Sequence, residues 1–249
     1  MTAAARSPEA ILASLTIVVP AYNEAARIEG TLSRLFAWRA QRDPTIEIVV
    51  VDDGSRDDTV GVAGRAGQGE AHFRIEALGR NRGKGAAVRQ GVQLATRDWV
   101  LFSDADLSTP IEELDKLMAA IAQGADIAIA SRDTKGSLLD RRQPAYREAM
   151  GRTFNTLVRA LAVPGIADTQ CGFKLFSAPA ARRCFGRMTI ERFAFDVEVL
   201  YIARRLGYRI AEVGVRWVND DRSTVSPVRD AARMLSDVAR IRWRHRGVG

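Results

Sequence analysis

The chain has 249 residues, 47% of them apolar, and a formal charge of +7 from 37 Lys and Arg against 30 Asp and Glu, which admits one large α/β domain or two small ones. Two cysteines thirteen residues apart, Cys171 and Cys184, and two isolated histidines, His72 and His245, exclude a zinc framework, disfavour disulfides and leave little room for histidine chemistry. No apolar run reaches the length of a membrane span; the positive balance favours anionic partners, with nucleic acid disfavoured because basic residues are not interleaved with stacking aromatics.

Residues 1–13 are Ala-rich and read as a flexible leader. Leu15 to Pro20 is a buried strand, too quickly followed by Tyr22-Asn23-Glu24 to be a signal segment. Glu24 to Gln41 is helical, with Ile28, Leu32, Leu35 and Phe36 on one face. Ile46 to Val51 is a strand, apolar throughout except for Glu47, and Asp57 or Asp58 caps a short helix before the glycines of 61–69. Phe73–Leu78, Trp99–Phe102 and Asp126–Ala130 are further strands; Gly85–Ala95 and Pro110–Gln123 are helices between them. Near-continuous apolar strands alternating with helices predict an α/β fold with an open, doubly wound, mostly parallel sheet and helices on both faces.

The rhythm then breaks. Residues 132–147 form a basic loop with Arg132, Lys135, Arg141, Arg142 and Arg147. Beyond it come a helix over Arg152–Ala162, a short strand over Phe173–Phe176, a helix over Asp196–Leu206 and an outer strand over Ile210–Val218. One domain is expected over 14–227, with a basic amphipathic helix over 228–249 packed on it or docking beside it.

In such sheets ligands bind beyond the carboxyl ends of the strands. Four motifs fall there. Pro20-Ala21-Tyr22-Asn23-Glu24 offers a ring face and a carboxylate, or is a plain strand-to-helix turn. Asp52-Asp53-Gly54-Ser55 offers an acceptor for a base imide or ribose hydroxyls, or is a capped turn. Asn81-Arg82-Gly83-Lys84-Gly85 opens a helix with glycines and a lysine, which suits phosphate without being a P-loop. Asp104-Ala105-Asp106 sets two carboxylates one residue apart after a buried strand, a hard-cation site for Mg²⁺ or Mn²⁺; the same aspartates could be loop or cap residues before the helix at Pro110.

VVPAYNEAARI, VVVDDGSRDDT, NRGKGAAVRQG, LFSDADLSTP, DTQCGFKLF and ERFAFDVEVL, in that order, resemble family 2 glycosyltransferases of the GT-A fold. Within that family the likeness is greatest to the dolichyl-phosphate β-glucosyltransferases and their bacterial polyprenyl-phosphate relatives, and it covers roughly residues 16–245. It implies a nucleotide-sugar donor, UDP-glucose favoured, a DxD metal site and an inverting transfer to a polyprenyl phosphate. On the matching motifs, Pro20, Ala21, Tyr22, Glu24 and Asp53 would hold uridine, Arg82 and Lys84 would lie by the diphosphate, and Asp104 and Asp106 would serve sugar and metal. The chain departs from the likeness in two ways: it lacks the membrane helices found in eukaryotic and some bacterial members, and it has DADLSTP where the eukaryotic enzymes have DADGAT.

A lipid phosphate is largely ionised at neutral pH, its second pKa being about 6, so such an acceptor needs no strong base. Arg132, Arg141, Arg142 and Arg147 could bind it, arginine pairing bidentately with phosphate, or could be a solvated basic surface. Asp168 and Asp196 could act as base, position the acceptor, or cap local structure. A small hydroxylated acid as acceptor would need a carboxylate base, Asp196 first; a nucleotidyltransferase or a nucleotide-binding module could use the same sheet. In 228–246, Val228, Ala231, Leu235, Val238 and Ala239 recur at helical spacing among Arg229, Arg233, Arg240, Arg242, Arg244 and Arg246, with Trp243 beside them. That pattern suits an anionic membrane surface, giving a cytoplasmic protein peripheral to the inner face of the cell membrane, or a helix packed on the sheet.

Overall fold

The computed structural model describes residues 6–134, 136–139, 163–218, 237 and 240–247. Arg141, Arg142, Arg147, Lys135, the helix expected over 152–162 and most of 228–239 lie outside the described residues.

Seven strands form one sheet. In chain order they are β1 (Leu15–Ala21), β2 (Glu47–Asp52), β3 (Phe73–Ala77), β4 (Trp99–Ser103), β5 (Ile127–Ser131), β7 (Phe173–Ser177) and β8 (Ile210–Gly214). Two further short strands, β6 (Leu138–Leu139) and β9 (Arg216–Trp217), pair with each other in parallel. The sheet order is β3-β2-β1-β4-β7-β5-β8. Only β7 runs antiparallel, wedged between β4 and β5, and the other pairings are parallel.

The apolar strands are buried on both faces, as parallel strands must be. Successive side chains alternate between two cores. Ile17, Val19, Ile48 and Val50 join one, beneath α2 (Ile28–Arg42) and α5 (Leu114–Ala122). Val18, Val49, Val51 and Val100 join the other, beneath α4 (Lys84–Leu94). Each such buried aliphatic side chain contributes about 1.5–3 kcal/mol. Glu47, the exception in β2, is accommodated because its carboxylate accepts from Thr16 Oγ1 at 2.6 Å and pairs with Arg74 at 3.0 Å.

Several boundaries differ from the expectations. Residues 6–13 are not a loose leader: Pro8–Leu12 form a helix, α1, with Ser7 Oγ accepting from Ala10 N–H, Ile11 and Leu12 buried, and Arg6 bonded to Ala125 O and Asp126. Five residues are too few for a periodic signal. The helix expected from Glu24 begins at Ile28, after a turn. The short α3 (Thr59–Ala66) follows Asp58, but it is Asp57 that accepts from Thr59 N–H and Oγ1. A single turn of 3₁₀ helix, Ile111–Glu113, precedes α5. The outer strand expected over 210–218 is two, β8 and β9, broken at the buried Val215. The helix α6 (Ala178–Arg187) went unseen, because its inner face is Ala178, Ala180, Ala181, Cys184 and Phe185, mostly too small to stand out among arginines. The helix expected from Asp196 is α7 (Phe195–Arg205).

Candidate active site

The sheet order reverses direction at β1: β2 and β3 follow on one side, β4 on the other. This is the switch point at which α/β sheets bind ligands. Pairing of β1 with β4 stops at Val18 and Phe102, whereas pairing with β2 continues to Ala21 and Asp52. The chain therefore parts beyond Val18, and Pro20, which has no N–H to donate, falls where β4 no longer needs one. All four strand-end motifs open on this gap.

The first two motifs are stitched together. Asn23, in the left-handed region at φ 56°, donates its N–H to Ser55 Oγ and accepts from Arg56 N–H, each at 2.8 Å. Glu24 N–H reaches Thr59 Oγ1 at 2.8 Å, and the Glu24 carboxylate pairs with Arg27. Tyr22 is exposed at the rim, while Pro20 and Ala21 are buried in β1.

Asp53 is nearly fully buried and holds the glycine-rich loop. Its two oxygens accept the N–H groups of Arg82 and Gly83, both at 2.8 Å. Burial raises its pKa, against those two bonds. Each oxygen keeps a further lone pair for a ligand. Gly83, at φ 119°, begins α4, and a side chain there would stand 2.5 Å from Glu191 O. Glu191 in turn pairs with Arg82 and Arg89.

Lys84, at the start of α4, reaches Asp104 Oδ1 at 2.6 Å. Burial works against its charge, but Asp104, Asp196 and Asp106 outweigh it and raise its pKa. Asp106 accepts from Ser108 N–H at 2.8 Å; burial, then the neighbouring Asp104, raises its pKa. Gly172 gives Asp104 its place, since a Cβ there would lie 2.0 Å from the Asp104 carboxylate. Among the described residues no group of three or more His, Cys, Asp and Glu side chains is placed to hold a metal. Two crowded carboxylates fit Mg²⁺ or Mn²⁺, which take oxygen ligands and complete their shells with substrate phosphates and water.

The remaining candidates are deeper. Asp196 is buried in the first turn of α7 and bonds Lys174 Nζ at 2.5 Å rather than capping the helix. Burial raises its pKa, while Lys174 and Lys84 oppose the rise. Lys174 also donates to Cys171 O at 2.6 Å and lies 5.0 Å from the centre of the Phe102 ring. Lys174, Asp196, Lys84 and Asp104 thus alternate in sign from the core to the gap.

Asp168 does not fit the role of base. Its carboxylate accepts from Arg132 Nε at 2.6 Å, Arg132 Nη2 at 2.9 Å, Arg132 N–H at 3.1 Å and Gln170 N–H at 3.1 Å. Although burial opposes ionisation, Arg132 holds its pKa down to about 2. Asp168 therefore fixes Arg132, whose guanidinium also lies 5.6 Å from the Trp217 ring centre.

Gly172, Lys174 and Glu191 are not singled out by the sequence, although Gly172 and Lys174 lie inside DTQCGFKLF and Glu191 opens ERFAFDVEVL. A lysine in an apolar strand is the available signal. His245, outside every motif, is buried and bonded through Nε2 to Glu198 Oε1 at 2.7 Å.

The model of glycosyl transferase family 2 matches residues 16–185. The chain is 36% identical over 93% of its length to dolichyl-phosphate beta-glucosyltransferase of Dictyostelium discoideum, covering 74% of that protein. It is 38% identical over 93% of its length to the human dolichyl-phosphate beta-glucosyltransferase, covering 75% of it. Among solved structures, glucosyl-3-phosphoglycerate synthase of Mycobacterium tuberculosis, in complex with Mn²⁺, UDP and glucosyl-3-phosphoglycerate, aligns with a TM-score of 0.66 over 98% of this chain and 84% of that one. At 19% identity that likeness shows the shared GT-A fold alone. The family model over residues 16–185, together with relatives 36–38% identical over 93% of the chain, makes this chain a member of glycosyl transferase family 2.

Proposed function

We propose that the protein is an inverting glucosyltransferase that moves glucose from UDP-glucose to a polyprenyl phosphate of the dolichyl type. The observation that carries this is the 36–38% identity to dolichyl-phosphate beta-glucosyltransferases over 93% of the chain. In this reading Tyr22, Glu24 and Asp53, with the Pro20-Ala21 backbone, hold the uridine. Lys84 and the amino end of α4 face the diphosphate, and Arg82 supports that loop. Asp104 and Asp106 hold a divalent cation. That cation, when bound, neutralises charge on the leaving diphosphate.

The acceptor phosphate is its own nucleophile and attacks C1 from the face opposite the diphosphate. It is mostly dianionic at neutral pH, so the chain needs no general base. This agrees with Asp168 being tied up by Arg132 and with Asp196 being locked to Lys174. Arg132 retains Nη1 for the acceptor phosphate, and Arg141, Arg142 and Arg147 of the same loop would complete its site. None of the described helices is long and apolar enough to cross a membrane. On the basic, helically spaced pattern of 228–246 we take that segment to help the enzyme meet its lipid at a membrane surface.

A donor screen tests the proposal. The protein is given polyprenyl phosphate and each of the common UDP- and GDP-sugars with Mg²⁺ or Mn²⁺, and lipid-linked product is measured. Glucosyl lipid from UDP-glucose alone is expected. Transfer to 3-phosphoglycerate with none to lipid would replace the acceptor with a small soluble acid.

A further inference from the structure

On the outer side of the glycine-rich loop lies a second cavity, of about 530 Å³. Arg80, Arg82, Arg192, Arg240 and Arg244 line it, against Glu191 and Asp237. Glu191 is engaged by Arg82 and Arg89, and Asp237 by Arg240. Arg80 and Arg192 are exposed and make no ion pair among the described residues. The lining thus carries three more arginines than carboxylates, with the Asp53 carboxylate also acting on Arg82 and Arg192.

Its back wall is rigid. Thr189 and Ile190 donate their N–H groups to the fully buried Glu198 carboxylate at 2.9 and 2.7 Å. Arg244 Nη1 is fixed to Thr189 Oγ1 at 3.0 Å, and Ile241 anchors the same helical turn in the core. The Arg244 guanidinium is therefore presented from a fixed frame.

Two exposed aromatic side chains stand next to lining residues along the chain. Phe193 follows Arg192 and is 43% exposed; Trp243 is 66% exposed. Trp243 stands three residues from Arg240 in one helical turn, so the two are neighbours on that surface. An exposed tryptophan and phenylalanine beside a basic cleft is the composition of a membrane–water interface, with rings at headgroup level and arginines on phosphate.

We propose that this cleft is a binding site for the phosphate of an anionic phospholipid headgroup, separate from the acceptor site, and that Phe193 and Trp243 enter the interface beside it. It orients the glycine-rich loop toward the bilayer. The inference rests on the membrane-surface reading proposed above and assigns it a site, and it is read without turnover.

The test is co-sedimentation with vesicles of phosphatidylcholine alone or of equal parts phosphatidylcholine and phosphatidylglycerol. The full chain should bind the mixed vesicles, bind phosphatidylcholine weakly, and release as salt is raised. The double variant Arg80→Gln/Arg192→Gln should lower partitioning about 25-fold, at roughly fivefold for each arginine near an anionic surface. Arg34→Gln/Arg65→Gln, which removes the same charge from α2 and α3, should leave partitioning within about twofold, since exposed charges beyond a Debye length are screened. Equal losses in the two double variants would reduce the effect to net charge and overturn the site. Unchanged vesicle binding by Arg80→Gln/Arg192→Gln with lost calorimetric binding of inorganic phosphate would make it a soluble-anion site, and a matching loss of UDP affinity would assign it to the donor. Either result overturns the proposal.

Discussion

The two halves of the site are built by different means. Between β1 and β4, the polar contacts that shape the gap run mostly from side chains to backbone. Asp52 accepts from Gly54 and Ser55, Asp53 from Arg82 and Gly83, and Asp57 from Ala25 and Thr59. Beyond residue 130, buried ion pairs and charged hydrogen bonds take over: Arg132–Asp168, Lys174–Asp196 and Glu198–His245. The first kind fixes turns and leaves ligand-facing groups free. The second fixes side chains that would otherwise be costly to bury, and it places them with little freedom. The difference predicts which substitutions damage chemistry and which damage the fold.

Asp106→Asn gives the largest expected effect on chemistry. It replaces a carboxylate at the mouth of the gap, where no structural ion pair depends on it, so transfer should fall about 10³-fold, the scale for losing a group that stabilises transition-state charge. Circular dichroism and the unfolding midpoint should stay at the parent values. Near-normal turnover at saturating Mg²⁺ or Mn²⁺ would remove the metal role from the first half.

Lys174→Met tests the second half. It leaves the buried Asp196 carboxylate without its partner, which costs about 3–5 kcal/mol. Denaturant unfolding should show that loss, and Lys174→Met/Asp196→Leu should recover much of it, since a buried pair can be replaced by apolar groups. Arg65→Gln, which breaks an exposed pair with Asp58, should cost less than about 1 kcal/mol. Equal losses for Lys174→Met and Arg65→Gln would erase the contrast between the halves.

Asp168 extends the contrast to pH. Its pKa lies at about 2 in the folded chain against 3.8 for the free side chain. A depressed carboxylate stabilises the fold above its unfolded pKa and loses that contribution as pH falls through the folded one. The contribution is roughly 2 kcal/mol, present in full above about pH 5 and fading toward pH 2. Asp168→Asn should lower stability at neutral pH and flatten the acid limb of the stability profile. An unchanged acid limb would mean that Arg132 does not depend on Asp168.

The same division explains what the sequence reveals. β1 to β5 and their motifs are legible because apolar runs and short turns encode them within a few residues of each other. Asp53 and the loop it holds are separated by 29 and 30 positions, yet each is marked by its own strand end. The buried polar pairs of the second half join residues 36, 22 and 47 positions apart, with no local signature. So Asp168 stood out only as a carboxylate in a motif, with its partner unseen, and Lys174 was hidden within an apolar strand. The antiparallel direction of β7 is likewise a property of where the chain returns, and the residues Phe173–Ser177 do not encode it. The helix α6 shows a further limit: alanines fill a close-packed interface without producing a strong apolar stripe.

A smaller effect on chemistry is the most informative about how the halves connect. His245 is bonded to Glu198, and Glu198 holds Thr189 Oγ1 and the N–H groups of Thr189 and Ile190. The next residue, Glu191, pairs with Arg82 and Arg89, and its carbonyl accepts from Ala86 N–H at 3.1 Å in the first turn of α4. The turn at His245 is therefore linked to the glycine-rich loop through three consecutive residues. His245→Ala removes one hydrogen bond to a carboxylate that keeps three others, so the loss should be about 1–2 kcal/mol. If that loss loosens the 189–191 segment, the KM for the nucleotide sugar should rise about fivefold while kcat stays within about twofold. His245→Gln, whose amide can still donate to Glu198, should restore the parent KM. A variant that loses stability with no change in KM would confine His245 to packing its own helical turn.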